Sequence, residues 1–164
     1  MVLLVLYVKC SLENVASIEF PSPAYHYCFD IKDSQGDDAR EGVFMCEEDT
    51  QELENSRGEA NFVVRFPDVK KQASASFEHV KGLTTRGVVT QSEEWTPVMG
   101  FECRGLELVN FYPTKGVVVK STGGTTWTDV DLSEDPDGWF EYCEKGGDSV
   151  GITEFAFEIR KHKA

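Results

Sequence analysis

Residues 100–113, GFECRGLELVNFYP, alternate apolar with polar positions and carry a Cys-Arg-Gly kink in the middle. Alternation of this kind is typical of a half-buried β-strand, in which successive side chains point to opposite faces of a sheet. An earlier stretch, residues 8–20 (VKCSLENVASIEF), repeats the arrangement of a charged residue, a cysteine, a Leu-Glu dipeptide and an apolar-rich segment. The stretch around Cys103 therefore has a partner around Cys10.

A second pair of segments matches at the same separation as Cys10 and Cys103. The offset aligns SRGEANFVVRF with SVGITEFAFEI, and it places Ser56, Gly58 and Phe62 on Ser149, Gly151 and Phe155. Two matched segments at one separation predict two related β units. We place these pseudo-symmetric halves at residues 1–80 and 97–164 of a single compact unit, residues 1–164, which is long enough to bury a sizeable core.

Other segments also have the pattern of short strands. Residues 25–31 put Tyr25, Tyr27, Phe29 and Ile31 on one face and His26, Cys28 and Asp30 on the other. Residues 60–66 are apolar and β-branched, and residues 151–160 alternate with an aromatic face that we expect to point inward. Many short strands joined by turns predict a mainly β, antiparallel fold that packs as a sandwich or a barrel-like unit.

One segment favours a helix. Residues 135–145 carry Pro136 near their start and are followed by Gly146, which is the usual asymmetry of a helix with proline in its first turn and glycine beyond its end. The sequence therefore predicts a short helix of two or three turns near the C-terminus.

The charge of the chain limits its partners. A formal net charge of −13 argues against nucleic acid, because a protein that binds phosphates must supply cations. Anionic membranes are disfavoured for the same reason. High negative charge mostly keeps a protein soluble, and the partner that we expect is another protein.

The spacing of the cysteines and the pattern of the first residues indicate the cellular compartment of the protein. The five cysteines stand at wide intervals, and there is no Asn-x-Ser/Thr sequon, so we expect a reducing, cytoplasmic setting without disulfides. The opening MVLLVLYV lacks the positive segment of a targeting signal and is interpreted as a buried strand. Cys143 lies in an acidic segment, where we expect its thiolate to be disfavoured.

Residues 101–111 (FECRGLELVNF) and residues 139–154 (WFEYCEKGGDSVGITE) resemble the eukaryotic CXXC-motif-containing zinc-binding protein family, a group of small and largely uncharacterised proteins. The LENV and SRGEA segments fit as well, so the resemblance covers nearly the whole chain. In that family two CxxC pairs hold a zinc ion. The resemblance places these four ligand positions at Lys32, Gln35, Phe66 and Val69, and none of them is a cysteine here.

This departure implies that the family metal is lost, so we expect no cofactor, and zinc is implied only at the level of the family. A structural zinc contributes about 10–16 kcal/mol in small finger peptides, so its loss must be offset. Phe66 and Val69 are apolar and can fill the volume by packing, whereas Lys32 and Gln35 are compatible with solvent. We therefore expect a hydrophobic plug at the second ligand pair.

A different metal site remains an alternative. The chain contains no CxxC, but Cys28 and Cys46, together with His26, can converge in space as an irregular metal site. Against this, single buried cysteines mostly behave as small hydrophobic residues.

For function, the resemblance implies a non-enzymatic cytoplasmic protein. Our first hypothesis is an interaction module that presents an acidic surface to a protein partner. The alternative is a metal-binding protein that uses Cys28, Cys46 and His26. The third is an enzyme that works from a pocket between the halves, although no motif for a catalytic nucleophile or a phosphate loop is present in the sequence.

Overall fold

The structure is a computed structural model of the protein that describes residues 1–54 and 57–163. Ser56, one of the matched positions of the internal repeat, lies outside the described residues. The described chain forms these strands: β1 (Val2–Glu13), β2 (Val15–Glu19), β3 (His26–Asp33), β4 (Ala39–Cys46), β5 (Gln51–Glu52), β6 (Glu59–Ala60), β7 (Phe62–Val64), β8 (Ala73–Glu78), β9 (Val88–Val89), β10 (Thr96–Arg104), β11 (Leu106–Tyr112), β12 (Val117–Ser121), β13 (Thr126–Val130), β14 (Trp139–Cys143) and β15 (Asp148–Lys161).

The strands are arranged in antiparallel sheets. A six-stranded sheet has the order β14-β15-β1-β10-β8-β7, a four-stranded sheet has the order β13-β12-β2-β9, and a three-stranded sheet has the order β11-β3-β4. Strands β5 and β6 form a separate small ladder. The prediction of a mainly β, antiparallel fold is confirmed. No helix long and apolar enough to cross a membrane occurs in residues 1–54 and 57–163.

The two matched stretches bend in the same way. Strand β1 ends at Glu13, and the chain turns at Asn14, whose φ is 56°, to continue as β2 in the four-stranded sheet. Strand β10 ends at Arg104, and the chain turns at Gly105, whose φ is 74°, to continue as β11 in the three-stranded sheet. Because β1 and β10 pair with each other at the centre of the six-stranded sheet, the two predicted halves share that sheet. Their evolutionary relation stays a prediction.

The core is built on the inner face of β3. Tyr27, Phe29 and Ile31 are all almost completely buried, as the alternation of residues 25–31 predicts. The ring of Tyr27 lies 4.9–6.4 Å, centroid to centroid, from six other aromatic rings, those of Phe20, Tyr25, Phe29, Phe77, Phe101 and Phe111. These residues come from all three main sheets or from the segments next to them. The aromatic cluster around Tyr27 therefore joins the sheets.

The predicted helix at residues 135–145 is wrong. Asp135 instead forms a turn, in which its carboxylate accepts the Asp137 N–H and its carbonyl accepts the Gly138 N–H. The next five residues, WFEYC, form β14 and pair with residues 148–152 of β15. Aromatic side chains favour a strand when a neighbouring strand offers a partner, and here that neighbour follows after a short Gly-Gly turn. Tertiary pairing has overridden the Pro and Gly signals of the local sequence.

The aromatic cluster predicts where the fold is most sensitive to truncation. Phe101 is fully buried within the cluster, so Phe101→Ala removes a buried ring and leaves a cavity. We expect a loss of about 3–5 kcal/mol in the free energy of unfolding, measured by urea denaturation. Phe140→Ala, at a ring that is 60% exposed, is the control and should change stability by less than about 1 kcal/mol. Equal losses in the two variants would contradict this description of the core.

Candidate functional site

Phe66 and Val69 occupy a tight turn that follows β7. The Val69 N–H donates to the Phe66 carbonyl across 3.3 Å, and Asp68 within the turn has a φ of 61°. Two residues three apart on such a turn have the spacing that zinc knuckles use to aim two ligands at one ion. Here both side chains are apolar. Phe66 is 2% exposed and belongs to the core, and Val69 packs against the core.

Gln35, a member of the other pair of positions that the resemblance gives, lies across a groove from this turn. Gln35 follows the buried Asp33, whose carboxylate accepts the Gln35 N–H at 3.0 Å. Gln35, Phe66 and Val69 all line one groove of about 710 Å³. Lys32 lies on β3, where its side chain is exposed. The structure therefore brings three of the four family ligand positions to one groove.

The residues at these positions do not fit a zinc ion. Zinc takes thiolate, imidazole or carboxylate ligands in a tetrahedral arrangement. Phe66 and Val69 offer no donor atom, Lys32 offers a cation, and Gln35 offers only an amide. The Arg40 guanidinium lies over the Phe66 ring, 6.0 Å from its centroid, which adds a further positive charge. Apolar and cationic side chains and one amide therefore occupy the positions where the resemblance places the family ligands.

The residues of the alternative metal site, His26, Cys28 and Cys46, lie near the other end of β3. His26 and Cys46 face each other in the register of β3 and β4, whereas Cys28 faces Phe44 two residues further along. His26, Cys46 and Asp49 each place a ligand atom within 4.8 Å of the others. The structure thus brings together two of the three residues that the sequence indicated, and it adds Asp49. Sequence analysis missed Asp49, although the spacing Cys46-x-x-Asp49 is itself a knuckle spacing.

Asp30 lies on β3 between His26 and Lys32, on the outer face of the three-stranded sheet. Its carboxylate accepts hydrogen bonds from the Tyr112 hydroxyl at 2.5 Å, from the Asn110 amide at 2.9 Å and from the Gly42 N–H at 2.9 Å. Burial alone raises the pKa of Asp30, but the three hydrogen bonds outweigh it and the pKa is lowered from its ordinary value. The hydrogen bond to Asp30 is also the main reason why the pKa of Tyr112 is raised.

Strand β14 forms one end of the six-stranded sheet. It pairs with β15 on one side, and no strand of the described chain lies on its other side. Phe140 and Tyr142 project from it with 60% and 58% of their side chains exposed. Trp139 packs at its start against Trp127, with ring centroids 5.3 Å apart.

Cys143 ends β14 in a buried position. Hydrogen bonds from the Ser121 hydroxyl, the Thr125 hydroxyl and the Gly146 N–H lower the pKa of its thiol to about 7. Our expectation of a disfavoured thiolate is therefore wrong, because these local donors outweigh the acidic segment. The thiol is only 1% exposed.

The fold defines a small antiparallel β protein, and its turn at residues 66–69 has the three-residue spacing of a zinc knuckle but carries no thiol. Residues 5–160 match the eukaryotic family of CXXC motif containing zinc binding proteins. Since this match spans nearly the whole chain, the protein belongs to that family.

Curated relatives agree with the family, and solved structures share the fold. The chain is 32% identical over 159 residues to UPF0587 protein CG4646 of Drosophila melanogaster, with 96% of both chains covered. It is 27% identical over 158 residues to the human CXXC motif containing zinc binding protein, with 95% and 96% covered. A structure described as a hypothetical protein from Plasmodium falciparum superposes with a TM-score of 0.85 at 31% identity, and covers 98% of this chain and 100% of its own. The crystal structure of C1orf123, at 24% identity and a TM-score of 0.83, shares the fold over 98% and 99% of the two chains.

The apolar turn generates a stability prediction. Phe66→Ala removes a buried ring at a position where the resemblance places a family ligand, and we expect it to lower the free energy of unfolding by about 3–5 kcal/mol. Urea denaturation at neutral pH measures this loss. Phe44→Ala, at a ring that is 54% exposed, is the matched control and should cost less than about 1 kcal/mol. A loss at Phe66 no larger than that at Phe44 would show that the turn does not depend on this packing.

Asp30 generates a prediction on pH. Because its folded pKa is lowered, its contribution to stability is complete above its unfolded pKa of about 4, and it is lost as the pH falls through the folded value. We expect the free energy of unfolding to fall less steeply in Asp30→Asn than in the unsubstituted protein between about pH 5 and about pH 2. The measurement is urea denaturation across that range, with exposed Asp37→Asn as control. Identical pH profiles for Asp30→Asn and the unsubstituted protein would refute the role of Asp30.

Proposed function

We propose that this chain is a non-enzymatic cytoplasmic protein-interaction module that binds a basic, extended segment of a partner protein along β14. The observation that carries the proposal is the pair of exposed aromatic rings, Phe140 and Tyr142, on a sheet edge surrounded by carboxylates. An edge strand offers unpaired backbone N–H and C=O groups to an incoming strand, and its side chains provide specificity.

The aromatic residues supply the apolar part of the contact. Phe140 and Tyr142 are two residues apart, so they project from the same face of β14. Edge strands in soluble proteins are usually protected by charge, whereas β14 places a single carboxylate, Glu141, between two exposed rings. Aromatic residues of this kind are frequent anchors in interfaces because they bury a large area at low entropic cost.

The charge around β14 determines the chemistry of the partner. Exposed carboxylates flank the strand on both sides, and they belong to Glu134, Asp135, Asp137, Glu141, Glu144 and Asp148. Lys145 is the one cation between residues 131 and 148. A lysine- or arginine-rich segment is attracted to this edge, and an acidic segment is repelled.

The side chains with shifted pKa values are poorly suited to catalysis, which favours a non-enzymatic role. A general acid or base works best with a pKa near the working pH. The pKa of Asp30 is moved down and that of Tyr112 is moved up, so neither group is suited to proton transfer near neutrality. The thiol of Cys143, whose pKa is near neutrality, is buried and closed to a substrate.

A designed peptide tests the proposal. The probe is an eight-residue peptide that alternates lysine with valine, and its counterpart replaces each lysine with glutamate. Calorimetry should detect binding of the lysine peptide only, and the affinity should weaken with added salt because exposed charges are screened. The double variant Phe140→Ala/Tyr142→Ala should lower the affinity at least tenfold, which corresponds to about 1.4 kcal/mol.

The control keeps this test specific to β14. Phe44→Ala removes an exposed ring on the three-stranded sheet and should leave the affinity unchanged. Equal binding of the lysine and glutamate peptides, or undiminished binding by the double variant, would overturn the proposal.

A further inference from the structure

The cluster of His26, Cys46 and Asp49 contains three different types of metal ligand. We infer that it binds one divalent transition-metal ion, with zinc as the chemical match, through the His26 imidazole, the Cys46 thiolate and the Asp49 carboxylate. The three ligand atoms all lie within 4.8 Å of one another. Nitrogen, sulfur and oxygen of these kinds are the ligands that zinc accepts, at about 2.0–2.3 Å from the ion, so small side-chain movements suffice to close the site.

The backbone positions two of the ligands on a tight turn. The Asp49 N–H donates to the Cys46 carbonyl at 3.1 Å, so the segment from Cys46 to Asp49 forms a turn with ligands three residues apart. This is the same spacing and the same backbone bond that Phe66 and Val69 retain at the family position. The third ligand comes from the adjacent strand, because His26 is the cross-strand partner of Cys46 in β3.

A side chain outside the cluster holds this turn in place. The Asn61 amide donates to the Glu47 carbonyl at 3.1 Å and to the Asp49 carbonyl at 2.8 Å. The side-chain oxygen of Asn61 in turn accepts the Phe77 N–H at 2.8 Å. The turn is therefore tied to β8, and the ligands need little further ordering when an ion arrives. Preorganisation of this kind strengthens metal sites.

The surroundings favour a cation and leave one coordination position open. Glu47 and Glu48 lie within the turn and add negative charge, although Glu47 is engaged by His79 at 2.6 Å. Cys46 is buried, and its thiol lies 3.5 Å from the Pro23 carbonyl and 3.6 Å from the Ala24 carbonyl. When the ion binds, the thiol proton passes to solvent and the sulfur turns from these carbonyls to the metal. His26 and Asp49 are exposed, so water completes the coordination.

This site is separate from the family position. His26 and Lys32 are six residues apart on β3, which corresponds to about 20 Å along a strand. The cluster and the groove beside Phe66 therefore lie at opposite ends of the three-stranded sheet. A metal bound at one end leaves the apolar packing at the other end unchanged.

Cobalt titration tests the inference. Co²⁺ bound to a thiolate produces a charge-transfer band in the near ultraviolet, so a titration of the purified protein reports both stoichiometry and sulfur ligation. We expect one Co²⁺ per chain with this band, and we expect Zn²⁺ to displace it. Cys46→Ser should abolish the band, and His26→Ala and Asp49→Asn should each weaken binding at least tenfold.

The variants keep the outcome unambiguous. His26 and Asp49 are exposed, so their substitution leaves the fold intact even where Cys46→Ser lowers stability. Cys28→Ser is the matched control, because Cys28 is a buried thiol two residues from His26 on the same strand. Absence of the band, survival of the band in Cys46→Ser, or an equal loss in Cys28→Ser would overturn the inference.

Discussion

The packing of aromatic rings around Tyr27 is the constraint on which the rest of the structure depends. Its neighbours come from all three main sheets or from the segments beside them, so the cluster holds the sheets together. Because Tyr27 and Phe29 must face this core, the two-residue period of a strand sends His26, Cys28 and Asp30 to the outer face of β3. The burial of the inner face of β3 therefore determines where His26 and Asp30 lie.

The same core explains how a member of a family named for zinc binding can carry apolar residues at Phe66 and Val69, where the resemblance places two family ligands. Burial of a side chain such as Phe66 or Val69 contributes about 1.5–3 kcal/mol, which is far less than the 10–16 kcal/mol of a zinc ion in a finger peptide. A chain of 164 residues, however, buries enough surface to fold without a structural metal ion or a disulfide. The turn is held by the hydrogen bond from the Val69 N–H to the Phe66 carbonyl, and Phe66 and Val69 add apolar packing to it.

Much of this arrangement could be predicted from the sequence, because strand alternation is a local signal. The pattern of residues 25–31 predicted both β3 and its buried face, and the aromatic positions of residues 151–160 do pack against the core. The predictions that were wrong or incomplete concern features that depend on residues distant in sequence. The strand β14 forms because β15 offers a partner, and the Cys143 thiol is acidified by Ser121 and Thr125 on another hairpin. Asp49 joins His26 and Cys46 only through the register of β3 with β4 and the turn that follows.

The central claim is that packing, and not metal, stabilises the family ligand position in this chain. The most direct measurement is the guanidinium unfolding of the His26→Ala/Cys46→Ser/Asp49→Asn variant with and without EDTA, because this variant lacks all three ligands of the His26 cluster and any remaining effect of the chelator must arise elsewhere. The account predicts the same midpoint in both conditions. A midpoint that falls when EDTA is added would mean that a metal still stabilises the fold at or near Phe66, and would contradict the account.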